Sequence, residues 1–151
     1  YEPDMSAVQT GPLIKGIMHA VHANYMPRLG YGMRSFYGIW DLECPAYIGS
    51  GNKCIQDGRD KQWGHYVEGS YRWEVSSEYG QTMGIFMRRG NRDDQAGTKS
   101  GSNTSNKISQ TDVGINYWLT DTAVLKADWE TKKQYGKASV QGFNLGMGYQ
   151  F

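Results

Sequence analysis

Glu68, Arg72, Glu74, Arg88, Lys126, Asp128, Glu130 and Lys132 all stand at even positions in stretches whose odd positions are largely apolar or aromatic. On an extended chain neighbouring side chains point to opposite faces, so these eight share the polar face of whatever strands carry them. The chemistry open to such a set is the handling of ions and polar solutes along a surface. A ring of one sign would select ions of the other sign. This inventory is mixed, and it equally suits transverse ion pairs and hydrogen bonds that line or plug a lumen.

Other reactive residue types form no recognisable constellation. His19 and His22 are an odd number of residues apart and would point to opposite faces of a strand, so with His65 they give no metal-ligand spacing. No Ser, His and Asp set and no paired carboxylates are indicated, and the chain is read as a non-enzyme without cofactor or metal. Gly30-Tyr31-Gly32 has no following helix and is read as turn and strand glycine, not as a phosphate loop.

The elements that position these residues are strands. From Phe143 to Phe151 the odd positions Phe143, Leu145, Met147, Tyr149 and Phe151 are apolar or aromatic, while Asn144, Gly146, Gly148 and Gln150 are small or polar. That is period-2 alternation, with one greasy and one polar face. The same phase recurs in Ala123, Leu125, Ala127 and Trp129, in Val113, Ile115, Tyr117 and Leu119, and in Met83, Ile85 and Met87. It recurs again in Trp63, Val67, Tyr71, Trp73 and Val75. Two earlier candidates, around Ile14 to Met26 and Gly32 to Glu43, are less regular: His19 or Ser35 falls on the wrong face for one phase or the other, and a bulge within either strand would account for a shift of phase.

Connections alternate between short and long. Pro27 to Tyr31, Ser76 to Gly80 and Thr120 to Thr122 are tight and rich in turn residues. Cys44 to Gln62, Arg89 to Lys107 and Lys132 to Lys137 are longer and polar, and Arg89 to Lys107 is expected to bury nothing and to be a mobile loop. Tight turns at one end and long loops at the other are the rhythm of an outer-membrane barrel. Seven strands counted back from the last put the chain's start on the loop side. Barrels with both ends at the turn side have even strand numbers, so residues 1–151 are read as the C-terminal portion of one larger barrel domain.

Composition agrees with extended structure: 20 Gly and 11 Tyr stand beside 4 Phe and 4 Pro. With 16 Lys plus Arg against 15 Asp plus Glu, the net charge of +1 offers no bulk basic field for nucleic acid. No apolar run is long enough for a transmembrane helix, a test that strands escape because half their residues face away from lipid.

The stretch from Asp112 to Trp129, followed by Gly142 to Phe151, resembles the closing hairpin and last strand of porins of the phosphate-selective type. Residues Phe143, Leu145, Met147, Tyr149 and Phe151 resemble the C-terminal signal read by the barrel-assembly machinery. The resemblance implies an all-β, transmembrane antiparallel β-barrel in a bacterial outer membrane, in contact with its lipid and lipopolysaccharide, and open to homo-oligomer formation. Its implied function is a porin-type channel for passive diffusion of small hydrophilic solutes or ions. The alternative is a structural or interaction barrel, an anchor, adhesin or sheath component, with a plugged lumen. In such an exported chain the even cysteine count points to a disulfide between Cys44 and Cys54, ten apart in one loop. Outward aromatics near strand ends, Trp63 and Trp129 on one side and Tyr149 and Phe151 on the other, fit two interfacial girdles.

Overall fold

A computed structural model describes residues 15–43, 58–97 and 106–150 of the chain. Cys44, Cys54 and Phe151, and with them the expected disulfide and the last residue of the assembly signal, lie outside the described residues.

Alternation of β-branched or aromatic residues with small and polar ones resolves into seven strands: β1 (Lys15–Tyr25), β2 (Gly30–Glu43), β3 (Lys61–Ser76), β4 (Gln81–Asp93), β5 (Lys107–Trp118), β6 (Ala123–Gln134) and β7 (Val140–Tyr149). They form one antiparallel sheet in chain order, with no helix among the described residues. The all-β reading and the seven strands therefore hold. Among the described residues the sheet is open: β1 and β7 each pair on one side only.

Turn chemistry closes the hairpins at one end. Gly80 takes φ 65°, a left-handed conformation that residues with a Cβ adopt at a cost, and ends the turn between β3 and β4. Between β5 and β6 the Thr120 hydroxyl accepts the backbone N–H groups of Thr122 and Ala123 at 3.3 and 3.1 Å, taking up donors that the turn would leave unpaired.

Three sequence expectations need correction. Residues Arg89 to Asp93 belong to β4 and pair with both β3 and β5, so the loop expected from Arg89 starts later. Nor is that stretch without burial, since Asp93 is 3% exposed. Polarity on both faces hides a strand from periodicity, yet here the Arg89 guanidinium bonds across to Ser109 and Thr111 on β5. Similarly Lys132 lies within β6, level with Gln110 and Val140. Finally, β1 and β2 pair residue for residue without a phase shift; the one irregularity falls between Glu74 and Ser76 of β3, where Val75 is the extra residue.

Apart from the pair formed after that bulge, every directly opposed couple joins two odd or two even residues. Residue parity is thus face identity across the sheet. The odd face carries exposed Leu145, Met147, Ile85, Met87 and Val113. Glu68, Thr82, Phe86, Asp112 and Asp128, five of the six buried side chains, are all on the even face.

Small residues let the even face pack. A Cβ added at Gly114 would stand 2.5 Å from the Phe86 ring, 2.7 Å from the Ala127 carbonyl oxygen and 2.7 Å from Asp128 Cβ. At Gly146 it would meet nothing within 4 Å. Gly114→Ala is expected to destabilise the sheet by about 1–3 kcal/mol through overpacking, and Gly146→Ala by much less. Urea unfolding midpoints of the two variants check this.

Candidate functional site

The even face of β2 to β6 holds a hollow of about 370 Å³. Gly32 and Gly84 line it without side chains, with Ser70 opposite Gly32 and the Trp118 ring close over Gly84. Around the hollow stand four cations, Arg34, Arg72, Arg88 and Lys126, and one carboxylate, Glu68. Register explains the gathering. Arg34 is directly opposite Glu68, which is directly opposite Arg88, which is directly opposite Asp112. Arg72 and Lys126 share a row nearer the turns, separated by Gly84 and Asn116.

Glu68 anchors the loop-side row. Arg88 donates to its Oε2 from Nε at 2.9 Å and from Nη2 at 2.6 Å, while Arg34 Nε is 3.9 Å from Oε1. Charge-assisted bonds of this kind hold a guanidinium in place more firmly than neutral ones. Arg34 Nε is buried without a hydrogen-bond partner among the described residues, so Glu68 balances two cations and satisfies one fully.

Aromatic rings support the remaining charge. The Arg72 guanidinium lies 3.8 Å over the Trp118 ring, Arg88 5.0 Å over Tyr66, and Lys126 4.9 Å over Phe86. A ring's negative face stabilises a cation without consuming its outward N–H groups. Arg72 donates from Nε to Thr82 at 2.7 Å and forms no ion pair with a carboxylate among the described residues. Its fork remains available to a passing anion.

The acids collect on the next strands. Asp128 accepts from Lys126 at 3.0 Å and from Asn144 at 3.0 Å. Gln110 donates to Asp112 at 2.8 Å and to Glu130 at 3.2 Å, holding two carboxylates apart. Of the eight candidates, Glu68, Arg72, Arg88 and Lys126 line the hollow and Asp128 adjoins it through Lys126. Glu130 stands across from Asp112, Lys132 is nearer the loops, and Glu74 is exposed near the turn end. Arg34 and the aromatic supports Trp118, Tyr66 and Phe86 were not among the candidates. The register of β2 on β3 identifies the first, and even parity identifies the others.

No three metal-ligating side chains gather among the described residues. Comparison with protein-family models, with curated proteins and with solved structures found no match.

Removing Glu68 would leave Arg34 and Arg88 facing each other across β3 with no acid between them. Breaking a fully buried pair costs 3–5 kcal/mol, and with Arg88 about one-third exposed the expected loss for Glu68→Ala is about 2 kcal/mol. Glu74→Ala, at an exposed position, is expected to change stability by less than about 0.5 kcal/mol. Equal unfolding midpoints for the two variants would contradict this account of the row.

Proposed function

We propose that the sheet is part of the wall of an outer-membrane β-barrel, and that the barrel is a porin-type channel for small hydrophilic solutes and ions. The observation that carries the reading is the division of faces over seven strands: most of the exposed large apolar side chains are odd, and the charged rows of β2 to β6 are even. Apolar cover this extensive on a protein facing water would promote association. Against lipid it is the stable arrangement, and strands of 10 to 16 residues reach or exceed the 9–11 needed to cross a bilayer at a tilt.

Strand tilt supports the same reading. Following directly paired residues across the sheet, Phe143 is level with Trp129, Val113, Met87, Gly69, Met33 and Tyr25. Phe143 is the loop-side limit of the apolar run on β7, whereas Tyr25 is the turn-side limit of the run on β1, whose loop-side limit is Ile17. The apolar band therefore climbs from β7 to β1 by the length of Ile17 to Tyr25. Averaged over six pairings this is about 1.3 residues per strand, and with standard strand spacing it corresponds to a tilt of about 40°. Closed barrels tilt their strands by 35–45°. The edges of β1 and β7 then pair with strands beyond those described, because lipid tolerates no open edge.

The even face becomes the channel side. Its paired rows keep the wall hydrated, and the hollow with four cations to one carboxylate favours anions locally. Arg72, supported from behind by Trp118 and without an ion pair to a carboxylate among the described residues, is the cation whose fork is left for a permeating anion. In planar bilayers, the full-length protein is expected to conduct in discrete steps, and Arg72→Gln to lower its anion-to-cation permeability ratio while leaving insertion unchanged. Folded, inserted protein that passes no current would overturn the channel reading and favour the plugged structural barrel.

A further inference from the structure

The odd face is not apolar throughout. Loop-side of the apolar band on β3 to β6, His65, Asn91, Ser109 and Lys133 stand directly opposite one another in one row. His65, Asn91 and Ser109 are joined by hydrogen bonds. The Ser109 hydroxyl donates to Asn91 Oδ1, and Asn91 Nδ2 lies 3.3 Å from His65 Nε2. Arg89 donates from Nη2 to Ser109 at 2.9 Å and from Nη1 to Thr111. The His65 ring stacks on Trp63 with centroids 5.5 Å apart and planes 6° from parallel.

Beside this row is a shallow groove of about 380 Å³ lined by Trp63, His65, Asn91, Lys107, Lys133 and Tyr135. Lys107 and Lys133 are exposed and pair with no carboxylate among the described residues. Asp93 is the one carboxylate on this face of β3 to β6 among the described residues. It is 3% exposed and accepts the Gln95 N–H at 3.0 Å. The groove is therefore cationic, with hydroxyl and amide groups between two flat rings. Such a combination fits a phosphorylated sugar: ammonium groups for phosphate, Asn and Ser for hydroxyls, and ring faces for the pyranose.

Beyond an intervening row of Val67, Arg89, Thr111 and Thr131, the surface turnward changes character. Met87, Val113 and Trp129 share a row two alternate positions from Asn91, Ser109 and Lys133, about 13 Å away along the strands. They are 57%, 51% and 49% exposed. Head-group chemistry thus lies one polar row, with the cation Arg89 in it, from acyl-chain chemistry on the same face. A hydrolytic role for Ser109 is disfavoured by the geometry, since Asn91 stands between it and His65 and the imidazole has no direct path to the hydroxyl proton.

We propose that this outward groove binds the phosphorylated glucosamine head of an outer-leaflet glycolipid of the lipid A class, with its acyl chains against Met87, Val113 and Trp129. The inference rests on the membrane-embedded barrel reading and adds a lipid site on the barrel's exterior, separate from the channel side. It explains why the upper ends of β4, β5 and β6 are polar on their outer face although still paired as strands.

The test uses the full-length protein folded in mild detergent and bis-phosphorylated lipid A delivered in mixed micelles. Wild-type protein is expected to bind it, and Lys107→Gln/Lys133→Gln to bind about tenfold more weakly while keeping heat-modifiable mobility on a gel. Dephosphorylated lipid A is expected to bind the wild type as weakly, a comparison that needs no variant. Equal binding by the lysine variant, or equal binding of the two lipids, would overturn the glycolipid site and leave the barrel reading intact. A wild-type protein that stays folded and monomeric without detergent would overturn the barrel reading itself.

Discussion

Everything in this sheet depends on the pairing register. A slip of one residue between two strands would send every side chain on one of them to the other face. The chain avoids this at all six pairings: hairpin turns, longer connections and the single bulge at Val75 leave odd residues opposite odd and even opposite even. Because the bulge sits at the turn end of β3, it alters the last pair and nothing beyond it. One face can then carry most of the exposed apolar side chains and the other the charged rows of β2 to β6.

Register also sets the electrostatics of the even face. Glu68 sits on a central strand between Arg34 and Arg88, so one acid compensates two neighbours. Arg72, Arg88 and Lys126 each lie over an aromatic ring from an adjacent strand or the next but one. Rings on a polar face would be misplaced if their only role were to avoid water. Here they hold cations in place while leaving N–H groups free, and the absence of a side chain at Gly84 lets the Trp118 ring lie close over the strand beneath Arg72.

The sequence made the strands and the alternation of tight turns with long connections legible, because period-2 patterning survives wherever one face is apolar. It also placed all eight charged candidates on one face, since each belongs to a strand whose phase is unambiguous. Arg34 was missed for a physical reason. On β2 the even side carries Phe36, Trp40 and Leu42 and the odd side Tyr31, Met33 and Ile39, so both faces are partly apolar and only pairing with β3 reveals which side Arg34 takes. The end of β4 was missed for the opposite reason. From Arg89 to Asp93 both faces are polar, and these residues are strand because their neighbours on β3 and β5 continue the ladder. Sheet closure is not legible from alternation, which is the same in an open sheet and a barrel.

The central claim is that odd residues meet lipid and even residues meet water on an otherwise equivalent strand. Adjacent positions on β7 test it most directly, because Leu145 and Asn144 differ in parity and little else about their place in the sheet. Nitroxide labels would be introduced at one position at a time in full-length protein carrying serine at Cys44 and Cys54, folded into bilayers. Collision rates with oxygen, which concentrates in lipid, and with a water-soluble nickel chelate would then be compared. The account predicts that a label at 145 collides mainly with oxygen and one at 144 mainly with the chelate. Matching accessibility at the two positions, or the reverse order, would contradict it.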